Sequence, residues 1–290
     1  MFSFELGFLK LLEGMRTDFL NTLFESITIL GEETLLIVIM ALIYFMYDKT
    51  LARKIFFITA VSIGTNCIIK NFVRLPRPFA GGKVSCVRPE TATGYSFPSG
   101  HTQNFATWSN ALAQHFKKTW LCVLAIVLTL LMAFSRMYLG AHYPSDVLVG
   151  ALLGIGFAYA GNWLFDKISN KNILYGGTAL LLLPFAIYFF IAADTQYADF
   201  FKFFGLLVGF LCGTVFEERF AKLDCNTTVF KKLARVVIGV VLAVVIKEVL
   251  KKLFMCDNLQ LSLVLDTVRY FALTFIILGI CPWVFKKVRL

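Results

Sequence analysis

Nowhere is this sequence polar for long enough to make a separate water-soluble domain. Of its 290 residues 16% are charged and 58% apolar, and the mean hydropathy of +0.75 lies above the range of soluble globular chains. The seven cysteines (Cys67, Cys86, Cys122, Cys212, Cys225, Cys256 and Cys281) show no C-x-x-C or other metal-ligand spacing, which leaves structural zinc and dithiol redox chemistry without support. Buried free thiols are expected, with Cys86 and Cys256, both in external loops, unbridged. No carboxylate cluster suited to magnesium is present either, so neither a metal nor another cofactor is expected. Histidine is scarce, at His101, His115 and His142. The N-terminus carries Glu5 and no basic n-region, so no cleaved signal peptide is expected there.

What the chain does have is apolar runs long enough to cross about 30 Å of hydrocarbon. They predict an all-α fold, a polytopic membrane helix bundle of about nine transmembrane helices, at residues 34–47, 53–73, 99–116, 119–139, 145–165, 173–193, 200–217, 231–250 and 262–284. The first is short and is expected to begin nearer Ile29. Ahead of them Phe4, Phe8, Leu11 and Met15, then Leu20, Leu23, Phe24 and Ile27, recur at helical spacing opposite Asp18, Asn21 and Glu25. That is the pattern of amphipathic helices lying in the membrane interface.

The net charge of +10 is spent on membrane orientation and needs no nucleic-acid partner. Lys49, Arg53 and Lys54, then Lys117 and Lys118, Lys167 and Lys171, Lys222, Lys231 and Lys232, and finally Lys286, Lys287 and Arg289 follow alternate predicted spans. All five groups fall on one side, which the positive-inside rule makes cytoplasmic. The loop holding Asp194 and Asp199 falls on the other side, so the N-terminus is expected outside and the C-terminus inside the plasma membrane. Glu217, Glu218 and Arg219 are expected to be solvated at an internal helix end. Lys247, Glu248, Asp266 and Arg269 are expected to pair between helices, and His115 to serve packing only.

Three polar clusters interrupt the apolar chain, all on the predicted external face. One is Lys70-Asn-Phe-Val-Arg74-Leu-Pro-Arg77-Pro78, the second Pro98-Ser99-Gly100-His101, and the third runs from Ser135-Arg136 through His142 to Asp146. Together, in this order and spacing, they resemble the tripartite signature of the type 2 phosphatidic acid phosphatase superfamily, over about residues 20–165. The superfamily includes lipid phosphate phosphatases, undecaprenyl pyrophosphate phosphatases, glucose-6-phosphatase and vanadium haloperoxidases. The nine-span layout is itself similar to that of glucose-6-phosphatase. The expected division is residues 1–33 as interfacial amphipathic helices, 34–165 as the phosphatidic acid phosphatase-type catalytic membrane core that the resemblance implies, and 166–290 as four additional transmembrane helices beyond it.

The residue types suit phosphoryl transfer on their own terms, because a phosphoryl group in transfer spreads negative charge over its equatorial oxygens. Lys70, Arg77 and Arg136 supply fixed positive donors, and Pro76 and Pro78 limit the freedom of Arg77. Ser99 and Gly100 start a helix whose amides, with that of His101, can point at phosphate. His142 is the candidate nucleophile: Asp146, four residues on, can bond one ring nitrogen and leave the other bare. His101 can protonate the leaving oxygen and then activate water. Arg74, one turn after Lys70, either faces the site or snorkels to the interface. The expected function is a metal-independent membrane phosphatase that hydrolyses lipid phosphate monoesters or polyprenyl pyrophosphates through a phosphohistidine. A phosphatase of a water-soluble sugar phosphate is the alternative. A non-catalytic phospholipid binding or transport protein would want the arginines without the histidines, and here His101, His142 and Asp146 are all present.

Overall fold

The computed structural model describes residues 3–290, which are mostly helical, with no strand among the described residues. In hydrocarbon each backbone N–H and C=O must be satisfied within its own segment, and the helix does that. The chain forms two compact units. Among the described residues, one holds 3–36 and 61–164, the other 37–60 and 165–290.

The first unit contains α1 (Ser3–Gly14), α2 (Asp18–Thr28) with a 3-10 turn at Ile29–Gly31, the second half of α4 (Lys49–Val73), α5 (Gly100–His115), α6 (Thr119–Tyr138) and most of α7 (Pro144–Lys167). Thr17 caps α2 by accepting the Leu20 amide at 3.3 Å, and Phe24 packs on Tyr138 at 4.4 Å between ring centres. Helix α5 is polar yet buried from Thr102 to Ala111: Gln103 and Thr107 bond to α4, while Asn104, Ser109 and Asn110 donate to backbone carbonyls. Ser62 and Thr107 hydroxyls lie 2.9 Å apart, Gln103 Nε2 donates to the Ser62 carbonyl at 2.9 Å, and Asn66 Nδ2 donates to Gln103 Oε1 at 2.8 Å. On its other side α7 approaches closely through glycines. A Cβ on Gly154 would stand 2.5 Å from the Gln103 carbonyl, and one on Gly150 would stand 2.8 Å from that of Ser99. His115, at the far end of α5, is exposed with its ring edge-on to Phe116.

The second unit contains most of α3 (Glu33–Leu42), α8 (Lys171–Ala192), α9 (Ala198–Phe216), α10 (Val229–Leu253), α11 (Leu259–Phe275) and α12 (Cys281–Lys287). Gly205 and Gly209 let α9 and α11 touch backbone to backbone. A Cβ at either position would fall 2.1 Å from the Thr267 carbonyl or 2.4 Å from that of Phe271. Three π-helical turns, Ile43–Tyr47, Glu217–Ala221 and Ile276–Ile280, interrupt these helices. The second turn corrects the expectation of a solvated acidic end. Glu217 is fully buried, takes Lys49 Nζ at 3.0 Å and Arg53 Nη2 at 2.5 Å, and accepts the Leu223 amide at 2.9 Å. Glu218, at 51%, stays exposed while it pairs with Arg53, and Arg219 is exposed as expected. Asp266 and Arg269 pair within α11 at 2.7 Å, one turn apart.

Each of the nine expected spans falls on a helix, but length and composition support six crossings, or seven if one bent pair counts as a span. Helix α5 has only 16 residues and is too polar. Every 18-residue stretch of α10 holds three or more charges. The first expected span does not extend smoothly back to Ile29: Asp18–Gly31 and Glu33–Tyr47 meet at 55°. The break has a packing cause, since a Cβ on Gly31 would stand 2.9 Å from the His101 carbonyl, and Glu32 turns to extended backbone there. All seven cysteines, Cys86 and Cys256 included, are free thiols.

Candidate active site

Helix α4 ends at Val73, and Arg74 closes it in the left-handed conformation (φ 54°) with its N–H on the Lys70 carbonyl at 2.9 Å. Its side chain is exposed and donates to the Asn71 carbonyl at 2.9 Å. Arg77, three residues on between its two prolines, is buried. Its Nε donates to Gly94 O at 2.9 Å, Nη2 to Thr93 O at 2.5 Å, and Nη1 reaches both Ala141 O and His142 Nε2 at 3.1 Å. Lys70 Nζ donates to the next carbonyl, Tyr95 O, at 2.7 Å. Three consecutive carbonyls of the returning loop thus place two cations beside the histidine.

The tautomer of His142 follows from this contact. Arginine can only donate, so Nε2 must be bare to accept from Nη1 and the ring proton sits on Nδ1. Nδ1 faces Asp146 Oδ2 at 3.4 Å. That oxygen also accepts the Tyr143 amide at 2.8 Å and the Ser96 hydroxyl at 2.5 Å, so Asp146 is locked at the first turn of α7 before it reaches the ring. Burial, helped by the charges of Arg77, Lys70 and Arg136, holds the His142 imidazole well below its ordinary range. The ring therefore stays neutral, with Nε2 unprotonated, at neutral pH.

Ser99 sits differently from its expected part in an anion cradle. Its amide is committed to the Asp146 carbonyl at 2.9 Å and its hydroxyl lies 3.0 Å from that of Thr102. The amides of Gly100 and His101, in the first turn of α5, have no helical carbonyl to bond and remain for an anion. The link has its own use, because it fixes the start of α5 to the start of α7.

Arg136 is 1% exposed, and only Nη1 is occupied, donating to Thr28 Oγ1 at 2.7 Å. Its Nε and Nη2, together with His101 Nε2 and Asp146 Oδ1, are buried without a protein partner. Buried donors left unpaired cost about 1–3 kcal/mol each, so this arrangement suits an oxyanion that completes it. Arg136, Lys70, Arg77 and Arg88 are the cations that face His101, with Arg88 held by Glu32 at 2.9 Å and Glu90 at 3.2 Å. No group of three His, Cys, Asp or Glu side chains gathers for a metal among the described residues. Sequence reading missed Thr28, Glu32 and Ser96. Each is a lone polar residue whose partner lies far along the chain, 46 residues between Ser96 and His142 and 108 between Thr28 and Arg136.

The turn that carries His142 depends on Gly140. It sits at φ +74°, and a Cβ there would stand 2.2 Å from the Ser85 carbonyl and 2.8 Å from Arg16 Nη2. Gly140→Ala is expected to destabilise this unit by about 2–4 kcal/mol and to lower the melting temperature of the detergent-solubilised protein. An unchanged melting temperature would show that the turn relaxes freely.

Residues 51–170 match the PAP2 superfamily, and residues 201–290 match the PAP2 superfamily phosphatase transmembrane extension. The chain is 30% identical over 155 residues to the undecaprenyl-diphosphatase of Sulfolobus acidocaldarius, covering 52% of this chain and 73% of that one. It is 38% identical over 78 residues to the lipid A 4'-phosphatase of Bacteroides thetaiotaomicron, covering 27% of this chain and spanning 33% of that relative's length. Among solved structures, a transmembrane PAP2-type phosphatidylglycerolphosphate phosphatase of Bacillus subtilis superposes with a TM-score of 0.49 at 26% identity, covering 58% of this chain and 87% of that one. With the signature positions gathered in one unit and most of the Sulfolobus relative's length matched, this chain belongs to the PAP2 superfamily.

Proposed function

We propose that the chain is a membrane phosphatase that hydrolyses lipid phosphate monoesters or polyprenyl pyrophosphates through a phosphohistidine on His142. The observation that carries this reading is the bare Nε2 of a buried, neutral His142 within 3.1 Å of Arg77, in a unit where Arg136 keeps two donors unfilled. The phosphoryl group takes the guanidinium donors of Arg77 and Arg136, the Lys70 ammonium, and the amides of Gly100 and His101. Nε2 forms the N–P bond as the P–O bond to the leaving group breaks. His101 gives that oxygen its proton, then takes one from water, which hydrolyses the phosphohistidine and frees inorganic phosphate. Asp146 holds the Nδ1 proton and offsets the positive charge the ring acquires in attack. The fixed cations do the work that a metal ion does in other phosphatases.

Lipid is the preferred substrate class. The relatives named above include an undecaprenyl-diphosphatase and a lipid A 4'-phosphatase, and the three clusters stand at helix ends, at the depth where lipid phosphates reside. The loop of residues 79–96 offers few side chains to a sugar, and Lys70 and Arg77 occupy the carbonyls of residues 93–95. The test is kcat/KM for a long-chain lipid phosphate and a polyprenyl pyrophosphate against glucose 6-phosphate in one detergent. The lipids should win by at least tenfold, and equal or better use of the sugar would refute lipid specificity.

The same proposal places the active site on the external face of the plasma membrane, with the N-terminus outside, the C-terminus cytoplasmic and residues 1–33 at the interface. The supporting pattern, which takes α5 and α10 as crossing with the others, is the alternation of basic loops with the Lys- and Arg-free loop around Asp194. A reporter active only outside the cytoplasm should work when fused near Asp194 and fail near Lys118. The reverse pattern would turn the site inward.

A further inference from the structure

The first helix belongs to none of the signature clusters, yet its side chains converge on the turn that carries His142. That turn, residues 139–143 between α6 and α7, has no regular structure to hold it. Glu5 is 7% exposed and its Oε1 accepts the Ser145 amide at 2.9 Å. That amide is in the first turn of α7, where no helical carbonyl can reach it, and Pro144 before it has no N–H to offer. Glu5 is therefore a helix cap delivered from 140 residues away, one residue from Asp146. Leu9 and Leu12 are buried against Tyr143, the neighbour of His142, and against Val84.

Just past the helix, Arg16 spreads its fork over both halves of the site's rim. Its Nε donates to the Tyr138 carbonyl at 3.1 Å, Nη1 to Ser85 Oγ at 2.6 Å and Nη2 to the Ser85 carbonyl at 3.1 Å. Glu13 takes the Ser85 amide at 2.8 Å, and the Val87 amide meets the Leu139 carbonyl at 3.1 Å. Tyr138, Tyr143 and Ser145 are thus each pinned by this segment, and His142 lies between the pins. The opposite face of α1 shows Phe4 and Leu11, 76% and 61% exposed, so the polar inward contacts are not an accident of a uniformly polar helix.

We propose that α1 and Arg16 form a template for the nucleophile turn, with Glu5 and Arg16 acting as positioning residues for His142 and Asp146. Neither touches the phosphoryl site. They hold the 3.1 Å and 3.4 Å distances of His142 from Arg77 and Asp146 against a turn that would otherwise sample other geometries. A misplacement of about 1 Å at a reacting group can cost about 100-fold in rate. The effect should fall on the chemical step and leave substrate binding, which rests on Lys70, Arg77 and Arg136, nearly intact.

This inference rests on the phosphatase reading, and its test separates the two. Glu5→Gln keeps an oxygen for the Ser145 amide, Glu5→Leu keeps the bulk without it, and Arg16→Lys keeps the charge without the fork. Full-length protein in detergent is assayed per folded molecule for kcat and KM. Glu5→Leu and Arg16→Lys should lower kcat by about tenfold or more with KM within about twofold, and Glu5→Gln should restore most of it. Independently, the chain has three histidines, so ring-labelled protein gives three imidazole signals, with the one lost in His142→Gln assigned to the nucleophile. The Glu5→Leu and Arg16→Lys changes should shift or broaden the His142 signal alone and leave His115 unmoved. A parent without turnover on any phosphate would sink the phosphatase reading, while the His142 signal still decides the template. An unmoved His142 signal in both variants, or kcat within about twofold of the parent where the parent turns over, would overturn the template. Should Glu5→Leu fail to fold, Arg16→Lys against Arg16→Gln gives the same comparison.

Discussion

Replacing His142 by asparagine should remove turnover by a factor on the order of 10⁴ or more while the protein still folds. Asparagine puts its amide where Nδ1 stands, so the contact with Asp146 Oδ2 can remain and the Arg77 Nη1 contact with the Ala141 carbonyl can survive. It lacks the lone pair of Nε2 that attacks phosphorus, and no other nucleophile stands in reach of Arg77 in the contacts described. Ser96 is the nearest hydroxyl, but it donates to Asp146 Oδ2 at 2.5 Å and lies 3.5 Å from Nδ1, on the side of the ring away from Nε2. Phosphate release from a lipid phosphate, measured per folded molecule, checks this. Residual activity above about one per cent of the parent would mean that His142 is not the nucleophile.

Arg77→Lys should lower kcat/KM by about 10²–10³-fold, the effect of losing one fixed donor to a transferring group. The charge survives, but the fork does not. Arg77 holds four acceptors with three nitrogens: Thr93, Gly94 and Ala141 carbonyls and the His142 ring. A lysine ammonium can meet at most three, and it cannot meet carbonyls of the returning loop and the nucleophile in one plane. Both positioning of the loop and phosphate contact are then lost together, so kcat and KM should both worsen. A loss below fivefold would place Arg77 outside the phosphate contacts and leave it a purely structural residue.

Much of the candidate site was legible because polarity is so scarce here. Three polar clusters in an apolar chain stand out at once, and the structure gathers Lys70, Arg77, Gly100, His101, Arg136, His142 and Asp146 in one unit. The parts that escaped did so for definite reasons. Ser96, Thr28 and Glu5 are single residues whose meaning comes only from a partner brought close by folding. Ser99 looked like a free amide donor because nothing local reveals that α7 sends the Asp146 carbonyl to it. Sequence reading takes residues 99–116 as a crossing helix, although α5 has only 16 residues and its polar side chains bond inside the protein to Ser62 and Asn66. The π turn at Glu217–Ala221 adds one residue to a helical turn without any change in composition, yet that is what carries Glu217 inward to Lys49 and Arg53.

The most direct test of the account is to catch the intermediate. Detergent-solubilised parent protein is mixed with a long-chain lipid phosphate carrying labelled phosphorus and quenched within the first turnovers under alkaline conditions, where a phosphohistidine survives. The account predicts label bound to the protein in an acid-labile form, mapped to the peptide that contains His142, and absent from His142→Asn. Turnover of the lipid with label on another residue, or with no protein-bound label at any quench time, would contradict it.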